Sequence, residues 1–384
     1  MFNQNMKAKS SELIVGDWVE VRTKAEILGT LDSNGQLDGM PFMPEMFAFC
    51  GKRFQVYKRA HKTCDTVFPV RGRRVADAVH LETRCDGSAH GGCQASCLIF
   101  WKDAWLKPIS KDSPEQPANK VLDLDLSPAA IDAPTPQPQN RSSAPGAGPG
   151  CSESDVWALS RTADSNPADP TYNCQATQLP YATTQLDWWD IRQYIEDYTS
   201  GNVTLWRFVC SATYFLYFWI SNLGIGLGRP MRWFYDRFHR LWGGTPIPRK
   251  TGTIPEGQPT PAQTLDLKPG ELVRIKSHDE ILATLNTRSK NRGLYWDAEE
   301  VPYCGETRRV LKRVTQIVNE RTGKMQEMKT PCVILDDVIC QSRYSECRVF
   351  CPRSIYSYWR EIWLERVGSV DPEVRPEDAQ VIAQ

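Results

Sequence analysis

The chain has 384 residues, with 46 Lys plus Arg against 46 Asp plus Glu and a formal net charge of zero. At roughly 100–200 residues per domain that is room for two or three domains with a real core, and the neutral balance excludes a protein whose main business is bulk attraction to nucleic acid or anionic lipid. Thirteen Trp, thirteen Cys and 27 Pro are the outliers; they point to aromatic-rich domains, thiol or metal chemistry, and unstructured connectors.

Residues 1–16 lack a basic flank followed by an apolar run, so no cleaved secretory signal is expected, and a cytoplasmic, reducing location follows. There, clustered cysteines serve as metal ligands or redox groups more often than as disulfides. Residues 17–22 alternate apolar and polar side chains, the period of a half-buried strand. In 24–31, Ile27, Leu28 and Leu31 have helical spacing, and Thr23 with Glu26 has capping-box spacing. Further strands are expected at 53–58 and 78–82. Trp101 and Trp105 follow, four apart, the spacing of one helical face.

Residues 110–180 are rich in Pro, Ala, Ser, Asp and Gln and read as a disordered linker that buries too little apolar surface to offset its ordering entropy. Trp188, Trp189, Ile191, Ile195 and Tyr198 then suggest a helix over 186–198, within a Trp-rich helical segment, 181–242. Inside it, 208–228 is 21 residues without an ionisable acid or base, long enough to cross a hydrocarbon core of about 30 Å. The stretch 229–242 is basic, aromatic and amphipathic, suited to a headgroup interface. Core packing of two helices is the competing reading. A single span would put the flanking domains in different redox environments, so interfacial or re-entrant attachment through 207–242 is preferred. A second linker, 243–266, carries five prolines within 243–263.

The next element repeats the first. Residues 16–59 align with 270–313 without a gap at an offset of 254, and 14 of 44 positions are identical. The identities include Glu26-Ile27-Leu28 with Glu280-Ile281-Leu282, Glu45 with Glu299, and Cys50-Gly51 with Cys304-Gly305. Cys85, Cys93 and Cys97 pair with Cys340, Cys347 and Cys351, and Trp101 and Trp105 with Trp359 and Trp363. Strands are expected at 271–276, 308–318 and 332–339, with helical turns at 278–285 and a turn at Thr322-Gly323. The expected fold is therefore mainly β with α: two copies of a small SH3-like open barrel, 13–109 and 267–367, a helical middle and disordered linkers, closed by a tail, 368–384.

Four shared thiols per copy match a closed tetrahedral thiolate site for zinc: Cys50, Cys85, Cys93 and Cys97 in one, Cys304, Cys340, Cys347 and Cys351 in the other. About two zinc ions per chain are expected; iron–sulfur clusters, disulfides and plain buried thiols are the alternatives. Cys64, His61, His80 and His90 have no counterpart in the second copy, and Cys332 none in the first. A Cys/His nucleophile pair among His61, Cys64, Cys85 and His90 is conceivable, but a loop around a metal accounts for the same residues more simply. Glu45 and Glu299 read as structural carboxylates, since no histidine is shared to complete an acid–base pair. No phosphate-cradling Gly-rich loop follows a strand, and no Gly-x-Ser-x-Gly elbow occurs. Lys58-Arg59 and Arg71, Arg73 and Arg74 offer a local basic patch, with nucleic-acid binding disfavoured by the charge balance.

The runs 269–273 and 280–285, the segment 84–94 (RCDGSAHGGCQ), Phe350-Cys351-Pro352-Arg353 and 358–364 resemble a bacterial protein family with a duplicated cysteine-containing β module and a Trp-rich middle. The resemblance implies the domain plan and a bacterial origin, and no activity. The expected function is a zinc-stabilised, membrane-associated tandem adaptor that presents duplicated surfaces to protein partners. A thiol or iron–sulfur redox protein serving a biosynthetic enzyme is the alternative, and a nucleic-acid-binding barrel the second.

Overall fold

Fully buried Val19 and Val21 alternate with part-buried Trp18 and Glu20, and the result is strand β1 (Trp18–Val21). Thr23 caps α1 (Lys24–Leu28): its hydroxyl accepts from the Glu26 N–H, and the Glu26 carboxylate accepts from the Thr23 N–H at 2.9 Å. The structure, a computed structural model, describes residues 12–68, 71–109, 151–162, 166, 168–223, 226, 228–242, 244–345 and 347–367. It is a mixed α/β architecture with two curled antiparallel sheets.

The first module continues with the short hairpin β2 (Gln36–Leu37) and β3 (Met40–Pro41), then β4 (Arg53–Arg59), β5 (Lys62–Cys64), β6 (Gly72–Arg74), β7 (Ala78–Arg84), β8 (Leu98–Lys102) and β9 (Leu106–Pro108). Its main sheet has the order β8-β7-β4-β1-β9. The core centres on Ile27, Met46, Leu81, Trp101 and Trp105. The two tryptophans do not share a helix face as their spacing predicts. Trp101 lies on β8, every residue of which is buried, and Trp105 on a 3-10 turn, Asp103–Trp105.

The middle holds α2 (Glu153–Leu159), α3 (Gln175–Ala182), β10 (Thr184–Leu186), α4 (Arg192–Thr199), α5 (Leu205–Ser221) and α6 (Gly228–Trp242). Of the expected linker, 110–150 lies outside the described residues. Its described remainder packs on module one, where Cys151, Val156 and Leu179 enter the core; just beyond it, in the segment expected to be helical, β10 pairs with β6. These few apolar anchors are diluted in an average taken over a Pro/Ser-rich stretch. The uncharged run 208–228 is likewise not one helix. Helix α5 stops at Ser221, 17 residues long, or about 25 Å at 1.5 Å per residue. Among the described residues no helix is long and apolar enough to cross a membrane.

The second module comprises β11 (Leu272–Ile275), α7 (His278–Leu282), β12 (Lys290–Asn291), β13 (Leu294–Tyr295), β14 (Thr307–Val318), β15 (Met325–Leu335) and β16 (Leu364–Arg366), its sheet ordered β15-β14-β11-β16. Trp18 faces Gln55 in the first sheet and Leu272 faces Arg309 in the second, each pair displaced by the same 254 residues. Ser277 and Glu280 form the same capping box as Thr23 and Glu26. Trp105 Nε1 donates to Thr30 Oγ1 at 3.1 Å, and Trp363 Nε1 to Thr284 Oγ1 at 3.0 Å. The Pro-rich segment before this module packs on it: Ile254 bridges Asn286, and Thr260 Oγ1 accepts from the Arg292 N–H at 2.8 Å.

The modules touch directly. Gln94 Oε1 accepts from the Thr315 and Gln316 N–H groups at 2.6 and 3.2 Å. Lys58 Nζ donates to Ser354 Oγ at 2.9 Å, and the Arg84 guanidinium lies 3.9 Å above the Tyr356 ring. The β5 lysine, Lys62, is buried where three segments meet. It donates to Asp197 Oδ2 on α4 at 2.5 Å and to the Val349 carbonyl of module two at 2.8 Å.

Candidate metal centre

The segment after β7 turns back on itself. Gly87 and Gly91 take left-handed backbone around a 3-10 turn, Ser88–His90, and the Gly92 N–H donates to the Gly87 carbonyl at 2.9 Å. The turn is held from below by Glu45, at the start of a 3-10 helix, Pro44–Phe49. Glu45 Oε1 accepts from the Ala89 N–H at 3.1 Å and from the Cys85 thiol at 3.7 Å, and lies 2.7 Å from His90 Nδ1. His90 Nε2 sits 3.0 Å from the Asn173 carbonyl, which only accepts, so Nε2 carries a proton. Burial, the largest single influence, raises the Glu45 carboxyl, but the hydrogen bond and charge of His90 and the backbone N–H bonds together outweigh it and hold the carboxyl below the ordinary carboxylate range.

Glu45, Cys85 and His90 place three potential ligand atoms within 4.8 Å of one another, the one such group among the described residues. The other oxygen, Glu45 Oε2, is buried without a hydrogen-bond partner. Carboxylate, thiolate and imidazole together suit a borderline divalent ion such as zinc. As arranged, they also make a strut: a buried carboxylate ties an imidazole and a backbone N–H into one loop. Glu299 does the second job in the other module. Its carboxylate accepts from the Arg343 and Tyr344 N–H groups at 2.8 and 2.6 Å, just past Cys340.

The eight cysteines singled out by the repeat fall into different surroundings. Cys85 donates its backbone N–H to the Cys97 carbonyl at 2.9 Å. Cys93 Sγ accepts from the Val318 N–H of β14 at 3.3 Å. Burial pushes the Cys97 thiol up to about 12 and Cys340 likewise to about 12. Cys351 Sγ accepts from the Cys64 N–H at 3.1 Å. The Cys64 thiol beside it, against burial, lowers the Cys351 thiol. Cys347 lies where Gly72 of β6 approaches: a Cβ on that glycine would come 3.7 Å from the Cys347 carbonyl. Cys50 and Cys304 stand apart. Cys50 is raised by burial, and the charges bearing on it are Lys24 and Glu153. Cys304, pushed to about 12 by burial, has Glu300, Asp279 and Glu306 around it.

No three of these sulfurs, nor any three drawn with Cys64 or Cys174, lie within 4.8 Å of one another, whereas sulfurs at about 2.3 Å from one tetrahedral ion lie about 3.8 Å apart. Cys174 has no repeat counterpart, so a comparison of copies passes over it; Cys64 is marked by that comparison only as unmatched, and its contact with Cys351 is visible in the structure alone. The signal for Cys174 was its position beside Asn173, in a stretch whose composition reads as linker. Set against known proteins, the chain matches no family model and no curated protein.

Proposed function

We propose that this protein is a metal-stabilised pair of duplicated, SH3-like binding modules that attaches to a lipid surface through the helical hairpin of α5 and α6. One observation carries the attachment: the hairpin is apolar on its outer face. Its tyrosines turn inward, Tyr214 packing edge-to-face against Tyr344 of module two and Tyr217 at a tilt against Tyr235. Trp206, Trp219, Trp233, Phe234 and Leu241 are 61–76% exposed. On α6 they are interleaved with the exposed Arg229, Arg232, Arg237 and Arg240. Indole rings between arginines suit the headgroup region of an anionic leaflet, where each cation near the surface contributes about 1 kcal/mol.

Flotation with vesicles tests the attachment. The full chain is expected to float with phosphatidylserine-containing vesicles and less with pure phosphatidylcholine. The triple variant Trp233→Ser, Phe234→Ser, Leu241→Ser is expected to stay at the bottom with unchanged circular dichroism. Absence of flotation by the unaltered chain overturns the reading. The second reading, thiol redox, is favoured by the Cys64–Cys351 hydrogen bond; a reversible two-electron oxidation of metal-free protein with loss of those two thiols would support it.

A further inference from the structure

We infer that each cysteine loop closes a four-thiolate metal site with a cysteine taken from another segment. Cys85, Cys93 and Cys97 take Cys174 from the start of α3, and Cys340, Cys347 and Cys351 take Cys64 from β5 of the opposite module. This deepens the metal-stabilised reading and rests on it.

The backbone brings the first set together. The Cys85 N–H binds the Cys97 carbonyl, and Gly87 is pressed so close to Cys93 that a Cβ there would stand 2.1 Å from the Cys93 carbonyl oxygen. His90 holds the Asn173 carbonyl at 3.0 Å, which brings the next residue, Cys174, to the same loop. Cys174 lies near enough to Cys93, Cys85 and Cys97 for their thiolates to bear on one another once ionised. In the second set, the Cys64 N–H donates to Cys351 Sγ, Cys340 lies near both, and Gly72, paired with Cys64, comes up against the Cys347 carbonyl.

The surroundings match the charge of the product. Four thiols binding one divalent ion release four protons to solvent and leave a centre of net charge −2, with no change of oxidation state. Lys312 stands near Cys85, Cys93 and Cys97, anchored to Ser96 Oγ at 2.6 Å. The buried Arg353 reaches within 4.0 Å of Cys64 Sγ, and Lys58 interacts with Cys340 and Cys351. Each set also receives one N–H···S bond from the opposite module, Val318 to Cys93 and Cys64 to Cys351. Such donors and cations are what a buried tetrathiolate needs. The residue before the third cysteine is left-handed in both loops, Ser96 at φ 49° and Phe350 at φ 61°, so the two loops present that thiol alike. No three sulfurs of either set lie within 4.8 Å of one another, so each shell closes only by side-chain rotation; a turn between staggered χ1 wells moves a sulfur by roughly 3 Å.

The test uses the full chain purified anaerobically with reductant. Zinc content near two per chain is expected, and X-ray absorption at the zinc edge should show four sulfurs at about 2.3 Å. Cys174→Ser and Cys64→Ser should each reduce zinc to about one per chain, while Cys50→Ser and Cys304→Ser keep two. Where a serine variant fails to fold, Cys174→His or Cys64→His with cobalt(II) should retain the ion with a shifted visible band. Nitrogen or oxygen in the wild-type shell would place the metal on Glu45, Cys85 and His90 and overturn the inference. Loss of zinc on removing Cys50 or Cys304 instead overturns the ligand assignment and leaves the metal-stabilised reading standing. Zinc near zero in folded wild-type protein ends both.

Discussion

Gly87 and Gly51 both hold positive φ, 78° and 74°, yet an added methyl meets very different surroundings: Cys93 backbone within 3 Å at the first, and nothing within 4 Å at the second. Gly51→Ala is expected to lose only the left-handed penalty, about 1 kcal/mol, whereas Gly87→Ala should lose about 3 kcal/mol or more and unmake the cysteine loop. Urea titrations of the two variants measure the difference. A second residue sets a pH limit. His80 is fully buried, packed on Phe100, and burial pushes its imidazole down to about 3. The unfolded chain takes up this proton below about 6.5 and the folded chain does not. Stability is therefore full above that value and falls as pH drops toward 3, by about 1.4 kcal/mol per pH unit. Between pH 6.5 and 5, His80→Gln should lose about 2 kcal/mol less than wild type in parallel denaturant melts. At this scale the sequence shows which glutamate and cysteines recur, but not what they touch. His90 meets Glu45 across 45 positions of chain, a separation at which no local pattern operates. Cys174 escapes because a repeat reveals only what both copies contain, and Cys64 shows there only as unmatched, without its contact to Cys351.

Helix caps are the most local elements, and they were legible. Thr23→Ala and Ser277→Ala should each cost about 1 kcal/mol in thermal or chemical denaturation, through loss of the same reciprocal pair of bonds. Strands marked by alternation, β1 and β11, lie within a residue of their expected bounds. The strand expected at 332–339 instead starts at Met325 and ends at Leu335, because Asp337 turns left-handed at φ 56° and closes the ladder. Helical spacing misplaced Trp101 and Trp105 because a strand buried on both faces followed by a 3-10 turn also puts two large rings four residues apart. The hairpin of α5 and α6 shows the converse. Apolar length suggested one crossing helix, while the break after Ser221 follows from Asn222 and the glycines beyond it, which favour ending a helix.

At the scale of the molecule, the junction at Lys62 ties module one, α4 and module two through one buried cation. His61 Nε2 also lies 3.2 Å from the same carboxylate, Asp197, which is inaccessible to solvent. Lys62→Met leaves Asp197 buried without its main partner and should cost about 3–5 kcal/mol; Lys62→Met with Asp197→Leu should recover much of that loss. A double-mutant cycle in guanidinium reads the coupling directly. That Trp18 and Leu272 take partners at the same offset follows from the aligned segments, but how the two sheets dock was not legible, since it depends on single polar contacts such as Gln94 to Thr315.

The bond from Val318 to Cys93 spans 225 residues. At roughly 5–20 residues per second of synthesis, the first cysteine loop emerges about 10–45 s before the strand that covers it. For that interval it is a nascent chain with exposed thiols, open to oxidants and lacking the N–H donor that later meets Cys93, so the order of translation sets how long those thiols stand unprotected.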